Sequence, residues 1–173
     1  MIIIKNAEKT EIEIIHTLAH HIWNISYKEI IPPQQLVYML DMMYNAESLQ
    51  YQIEDQKHTF IIVYQDDKPV GFAAFFPKHK ISKTIFRLDK LYVLPDLHKK
   101  GLGKKLLDHI ISIIKLDGAS ILELNVNRNN KAVAFYEKLG FKITSEVDVP
   151  IGKGYFMNDY VMQKSLTTFP PLP

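Results

Sequence analysis

The sequence predicts one mixed α/β domain: a mixed sheet with helices on both faces. Three observations predict it. Apolar residues recur at helical spacing in some segments and form short β-branched and aromatic blocks in others. The order they give is strand, two or three helices, three strands, helix, strand, helix, two strands, which is neither a pure βα alternation nor a segregated pattern. A glycine-containing loop also joins a strand to an amphipathic helix within residues 91–107.

The elements follow in order. Residues 2–5 form a short first strand. Thr10 and Glu13 have capping-box spacing before a helix with Ile12, Ile15, Ala19, Ile22 and Trp23 on one face. Pro32-Pro33 breaks the chain. Helical stretches follow at 34–43 and 46–54. Strands at 59–64 and 70–76 flank the polar turn 65–69 and read as a hairpin. Residues 85–94 form the next strand, ended by Pro95. Residues 102–117 form a helix with Leu106, Leu107, Ile110 and Ile114 on one face, and Gly118 sits at its C′ position. A strand at 121–126 precedes a helix at 130–139 closed by Gly140. Two strands, 141–149 and 155–164, complete the domain, which spans residues 1–166. Prolines 170, 171 and 173 cannot continue a helix or sheet, so 167–173 is expected to be an extended or disordered tail.

Composition narrows the function classes. The chain has 173 residues, 47% of them apolar, which suffices for a core without a metal or disulfide staple. It has no cysteine, so disulfides, thiolate metal sites and a cysteine nucleophile are excluded. That composition fits a reducing cytoplasm, and a cytoplasmic location is expected. No apolar run approaches a membrane span, and the N-terminus lacks the basic start and long apolar run of a signal peptide. A net charge of +2 is too small to suggest nucleic acid. Neither membrane nor nucleic acid is an expected partner.

The most informative segment runs from Leu91 to Leu107. Such a loop offers unpaired backbone N–H groups and the positive end of a helix dipole to an anion. Gly101 and Gly103 permit close approach, and Lys99, Lys100, Lys104 and Lys105 add positive charge. A dinucleotide fingerprint would need a third glycine where Leu106 stands, so NAD is disfavoured. After the next strand comes Asn129-Asn130-Lys131-Ala132-Val133-Ala134-Phe135-Tyr136-Glu137-Lys138-Leu139-Gly140-Phe141. Here the chain resembles the GNAT superfamily of acyltransferases. His98-x-x-Gly101-x-Gly103 is similar to its acyl-CoA pyrophosphate signature, with His98 where Gln or Arg is usual. Asn129-x-x-Ala132-x-x-Phe135-Tyr136-Glu137-Lys138-x-Gly140-Phe141 is similar to its second motif. The element order matches across nearly all of residues 1–166.

The resemblance implies a GNAT fold: a mostly antiparallel seven-stranded sheet with splayed central strands. It implies acetyl-CoA as cosubstrate, no metal, and direct transfer to an amine in a ternary complex. That reaction needs a neutral amine, a donor for the oxyanion and a proton for the departing thiolate. The matching residues are Leu91, Tyr92 and Val93, whose backbone would face the pantetheine and the thioester carbonyl. His98, Lys99, Lys100, Gly101, Leu102, Gly103 and Lys104 would hold the pyrophosphate. Asn129 matches a polar contact near the pantetheine, and Tyr136 matches the tyrosine that protonates the CoA sulfur. Packing in the core is the other reading of Tyr136. Many members carry Glu where Arg87 stands here. Asp89, two residues on and on the same strand face, is a candidate base or else a surface carboxylate paired to Lys90 or Arg87.

The acceptor is read from the helices. Tyr27, Glu29, Tyr38 and Asp41 lie around Pro32-Pro33, in the region that covers the acceptor pocket in this fold. Aromatics and carboxylates there suit a cationic amine, and packing under a loop is the competing account. The segment 152–162 and the helix layout more loosely resemble bacterial spermidine/spermine-type acetyltransferases, which points to a polyamine or similar small amine. A protein or peptide Nα-acetyltransferase and a non-catalytic acyl-CoA sensor are the alternatives. The family also admits a homodimer. His16 and His20 stand at i, i+4, but no acidic third ligand lies nearby, so a helix-surface pair is favoured over a metal site.

Overall fold

The computed structural model describes residues 1–167. The proline-rich end, 168–173, lies outside the described residues. The strands are β1 (Ile2–Asn6), β2 (Thr59–Gln65), β3 (Lys68–Pro77), β4 (Ile85–Val93), β5 (Ile121–Asn127), β6 (Lys142–Gly152) and β7 (Tyr155–Ser165). The helices are α1 (Ile12–Ser26), α2 (Pro33–Tyr44), α3 (Ala46–Glu54), α4 (Leu102–Leu116) and α5 (Ala132–Lys138). The seven strands form one sheet in the order β1-β2-β3-β4-β5-β7-β6. The parallel pair β4·β5 stands among antiparallel pairs at β1·β2, β2·β3, β5·β7 and β6·β7, so the mixed, mostly antiparallel sheet expected from the sequence is the one found. No helix among the described residues is long and apolar enough to cross a membrane.

The chain divides into two compact units, and β4 passes from one to the other between Leu88 and Asp89. The first unit comprises residues 1–76 and 89–109. Its α1 buries Ile12, Ile15, Leu18, Ala19, Ile22 and Trp23, the stripe expected from helical spacing. Pro33 opens α2 at its first position, where a missing N–H is harmless. Asn45 caps α3 by accepting from the Ser48 N–H at 2.7 Å. Residues 60–63 of β2 and 70–75 of β3 are buried without alternation, so both faces of these strands are covered. Asp66 and Asp67 both take left-handed φ, 49° and 62°, which makes the tight two-residue turn that suits strand twist.

The second unit comprises residues 77–88 and, among the described residues, 110–167. Within it β4 pairs with β5 from Ile85↔Ile121 to Leu88↔Leu124, and β5 pairs with β7 along its whole length. β6 is exposed along most of its length and forms the sheet's edge.

Two local expectations are corrected. The reciprocal cap before α1 is not Thr10/Glu13: Thr10 lies inside a 3-10 turn, Lys9–Glu11, and the Glu8 N–H donates to Glu11 Oε2 at 3.0 Å. α5 starts at Ala132, two residues later than expected: Lys131 is its N-cap residue, and Asn130 lies in the turn before it, its Oδ1 accepting the Ala132 N–H at 2.9 Å.

Candidate functional site

In the first unit, β4 ends at Val93 and leads through a 3-10 turn, Pro95–Leu97, into residues 98–101. Lys99 and Gly101 take φ of 66° and 78°. Left-handed residues occur in the backbone nests that hold anions; here the Lys100 N–H between them donates to the Leu97 carbonyl at 3.4 Å. The Lys105 N–H bonds to the Gly101 carbonyl at 3.0 Å, so helix geometry leaves the amides of Leu102, Gly103 and Lys104 without an intrahelical acceptor. A Cβ at Gly101 would meet nothing within 4 Å, so the left-handed φ, rather than close approach, is what favours glycine there.

The side chains of this loop divide the work. His98 Nε2 lies 3.0 Å from the Val93 carbonyl oxygen and ties the loop back to the end of β4. Lys99 and Lys100 are exposed, whereas Lys104 is paired with Asp108 one turn on, at 2.6 Å. Behind the loop, Gly71 of β3 faces β4 closely: a Cβ there would lie 2.5 Å from the Tyr92 carbonyl oxygen. The Leu94 N–H donates to the Val70 carbonyl at 2.8 Å and fixes the same junction.

Tyr92 joins an aromatic group. Its hydroxyl lies 3.4 Å from that of Tyr27. Trp23 stacks on Tyr27 with ring centroids 4.3 Å apart and also packs near Tyr44 and Tyr92. Phe72 closes the group against Tyr44 and Tyr92. The indole Nε1 of Trp23 is buried without a hydrogen-bond partner. Of the other expected acceptor residues, Tyr38 is half-buried on α2, while Glu29 and Asp41 are exposed.

Asp89 contacts Lys90 Nζ. Lys90 is only 6% exposed; it donates to Gln52 Oε1 at 2.7 Å and lies over the Tyr44 and Phe60 rings. Burial pushes the Tyr44 phenol well above its ordinary value, and the Asp89 charge adds to the shift. Burial likewise lowers His58, against the opposing pull of Asp89. His16 and His20 direct their Nδ1 atoms at the Tyr44 and His16 carbonyls, at 2.7 and 2.9 Å.

In the second unit, Tyr136 is buried on α5 with its ring edge-on to Phe135 and Phe141. Asn129 is exposed in the turn before α5, where its N–H donates to Asn127 Oδ1 at 2.9 Å. Arg87 turns to Glu123, its register partner on β5, at 2.9 Å. Glu123 also accepts from Lys78 at 2.9 Å and from Gln163 at 2.7 Å. Burial pushes its carboxyl up, but the bonds from Lys78 and Gln163 and the charges of Lys78 and Arg87 outweigh this and lower its pKa.

Residues 28–153 match the family model described as an acetyltransferase (GNAT) domain. The chain belongs to the GNAT acetyltransferase family. Peptidyl-lysine N-acetyltransferase YjaB of Salmonella typhimurium is 38% identical over 99 residues, which are 56% of this chain and 59% of that protein. The chain thus matches little more than half the length of this curated relative. An uncharacterized N-acetyltransferase of Mycobacterium tuberculosis, Rv2669, is 25% identical over 158 residues, covering 91% of this chain and 99% of its own. Among solved structures, PaiA N-acetyltransferase from Thermoplasma acidophilum, in complex with coenzyme A, superposes with a TM-score of 0.79 at 25% identity, over 95% of this chain and 99% of that one.

Sequence reasoning about this GNAT chain missed several groups. Gly71 carried a signal, a glycine inside an apolar strand. Trp23 and Phe72 read as plain core, and only the fold joins them to Tyr27, Tyr44 and Tyr92. Nothing local in the sequence marked the buried Lys90 or Glu123.

Proposed function

We propose that the chain is an acetyl-CoA-dependent N-acetyltransferase that moves an acetyl group to the primary amine of a small cationic acceptor, such as a polyamine. The donor half of this reading is carried by one observation. Left-handed backbone at Lys99 and Gly101, with exposed lysines, leads into the N-terminus of α4 in a chain of the GNAT family. That arrangement suits a pyrophosphate.

In this proposal the amides and lysines of residues 98–104 hold the CoA phosphates. The backbone of Leu91, Tyr92 and Val93 pairs with the pantetheine, and an N–H there polarises the thioester carbonyl. Asn129 adds a polar contact to the same arm. The neutral amine attacks the carbonyl carbon, the C–N bond forms and the C–S bond breaks. Two protons leave the original ammonium. One passes to solvent by way of Asp89, and the other reaches the thiolate by way of the Tyr136 hydroxyl. Tyr27, Glu29, Tyr38 and Asp41 form the acceptor region. The aromatic group at Tyr27, Tyr92 and Trp23 supports a cationic acceptor, because ring faces attract ammonium and its alkyl stem alike. A cytoplasmic location is part of the reading and rests on the cysteine-free composition.

A second reading has one observation in its favour. The relative that is 38% identical is named a peptidyl-lysine acetyltransferase, and a lysine side chain also ends in a primary amine. Free thiol release from acetyl-CoA, measured with spermidine, 1,4-diaminobutane and lysine-containing peptides, separates the two. Turnover confined to the small amines supports the first reading, and turnover confined to peptides replaces it with the second. Acetyl-CoA binding with no turnover of any amine overturns both.

A further inference from the structure

Two carboxylates of the second unit are equally buried, Glu123 on β5 and Asp159 on β7, each 2% exposed. Their surroundings differ sharply. Glu123 receives Lys78, Arg87 and Gln163, each within 3 Å. Asp159 receives a single contact, from Asn125 Nδ2 to Oδ2 at 3.4 Å, the long end of the range. Beside it, Asn125 Oδ1 is buried with no hydrogen-bond partner.

The charges that face Asp159 are committed elsewhere. Arg87 of β4 is bound to Glu123. Arg128, after β5, is bound to Glu146 and Asp148 of β6. Both guanidiniums pull the Asp159 carboxyl down only from a distance, and burial outweighs them and pushes it up. A buried carboxylate kept for stability is normally saturated with donors, as Glu123 is. Here Asn125 Oδ1 lacks a donor, and the Asp159 carboxylate has only its one long contact from Asn125. Asn125 is the residue after Leu124, where the β4·β5 register ends.

A metal ion fits poorly, since no group of three or more metal-binding side chains occurs among the described residues. A primary ammonium fits well: it carries one positive charge and three N–H donors. We propose that Asp159 and Asn125 seat the primary ammonium of the acceptor, with Asp159 as counter-charge and the Asn125 amide oxygen as second acceptor. The transferase reading supplies the ammonium's identity as an acceptor; the seat itself rests on the geometry of the second unit.

The test is calorimetric titration of n-butylamine and 1,4-diaminobutane into the full chain with CoA present, for the parent, Asp159→Asn and Asn125→Ala. The parent should bind at least one amine. Asp159→Asn should weaken that binding by about 30-fold or more, as expected when one partner of a desolvated ion pair is removed. Asn125→Ala should weaken it less, and CoA binding should be unchanged in both. The parent's amine affinity should rise with pH as Asp159 ionises, and that of Asp159→Asn should stay flat. Asp159→Asn should hold or raise Tm, because it removes a buried charge with few donors.

Amine affinity unchanged in both variants overturns the seat, as does a parent that binds neither amine. A lowered Tm with unchanged amine affinity also overturns it and makes Asp159 structural. Binding that depends on Asp159 without acetyl transfer would leave the seat standing and overturn the transferase reading.

Discussion

Gly71→Ala tests whether the end of β4 is held in place by its neighbour. The added Cβ would lie 2.5 Å from the Tyr92 carbonyl oxygen and 3.1 Å from both Val63 Cγ1 and Val93 Cα. Ordinary contact begins near 3.4 Å, so the shortfall against 2.5 Å is about 0.9 Å, and the nearest atom is backbone rather than a flexible side chain. Two stability effects oppose each other. Alanine restricts the unfolded chain and stabilises by about 0.4–1 kcal/mol. Overpacking costs about 1–3 kcal/mol and wins, because β3 is buried on both faces here and has nowhere to move. The net loss, up to about 2.6 kcal/mol, lowers Tm by up to about 10 °C in a chain of this length. The catalytic effect is the larger one. If the Leu91–Val93 backbone faces the thioester, a displacement approaching 1 Å reduces kcat/KM for acetyl-CoA by about 100-fold. Thermal melting and thiol-release kinetics measure the two separately. A variant with the parent's Tm and the parent's kcat/KM for acetyl-CoA refutes both the contact and the role assigned to this strand.

Three further outcomes are expected. Tyr136→Phe should lower kcat by about 100-fold or more while acetyl-CoA affinity stays near the parent value, and an unchanged kcat removes the acid role. Glu123→Gln should destabilise by about 1–3 kcal/mol, below the range for fully buried pairs because Lys78 and Arg87 reach solvent. Its sign with pH follows from the lowered carboxyl: the contribution is present above the unfolded value of 4.5 and is lost as pH falls through the folded value. Acid melting curves of parent and Gln variant should therefore converge as pH falls below 4.5 and through the folded value, and parallel curves refute the ion cluster. His98→Gln should change acetyl-CoA KM only slightly, since the ring faces the Val93 carbonyl, a contact a glutamine amide can replace; a large rise in KM would mean that the ring itself touches the cofactor.

The fold was legible wherever period and punctuation agreed. Pro32-Pro33, Gly118 and Gly140 fell at helix boundaries because each has a backbone consequence that no tertiary contact can override. The start of α5 was misjudged because an asparagine has two uses. Asn130 turns its side chain onto the Ala132 N–H ahead of the helix, and sequence alone does not separate such a turn residue from a first helical one. The cap before α1 failed for a related reason, since Glu8 and Glu11 share the three-residue spacing that Thr10 and Glu13 have.

The candidate site was legible to the extent that it is backbone. Residues 98–104 gave themselves away because glycine, loop and helix start are contiguous in the chain. Trp23, Tyr44, Phe72 and Tyr92 come from four separate elements, and the pattern that marks each one is the pattern of any core aromatic. Lys90 and Glu123 were invisible for another reason. Strand alternation marks which side a residue faces, but whether a charge on the covered side is tolerated depends on donors and acceptors contributed by distant segments such as Gln52, Lys78 and Gln163.

That dependence on donors also separates the roles of the two carboxylates in β5 and β7. Burial alone would assign them the same role, since their exposure is the same. Glu123, saturated and held ionised, has no free lone pair to offer and a pKa moved away from neutrality, so it suits neither binding nor proton exchange. It explains instead why Arg87 can occupy a position where many GNAT chains carry Glu: the carboxylate stands opposite, on β5, and the pair is internally neutralised. Asp159 retains unused acceptor capacity. The two variants should therefore dissociate, with Glu123→Gln lowering stability while amine affinity is kept, and Asp159→Asn lowering amine affinity while stability is kept. If both variants moved both quantities together, the cluster would be one structural network, and unequal donors would not separate the two roles.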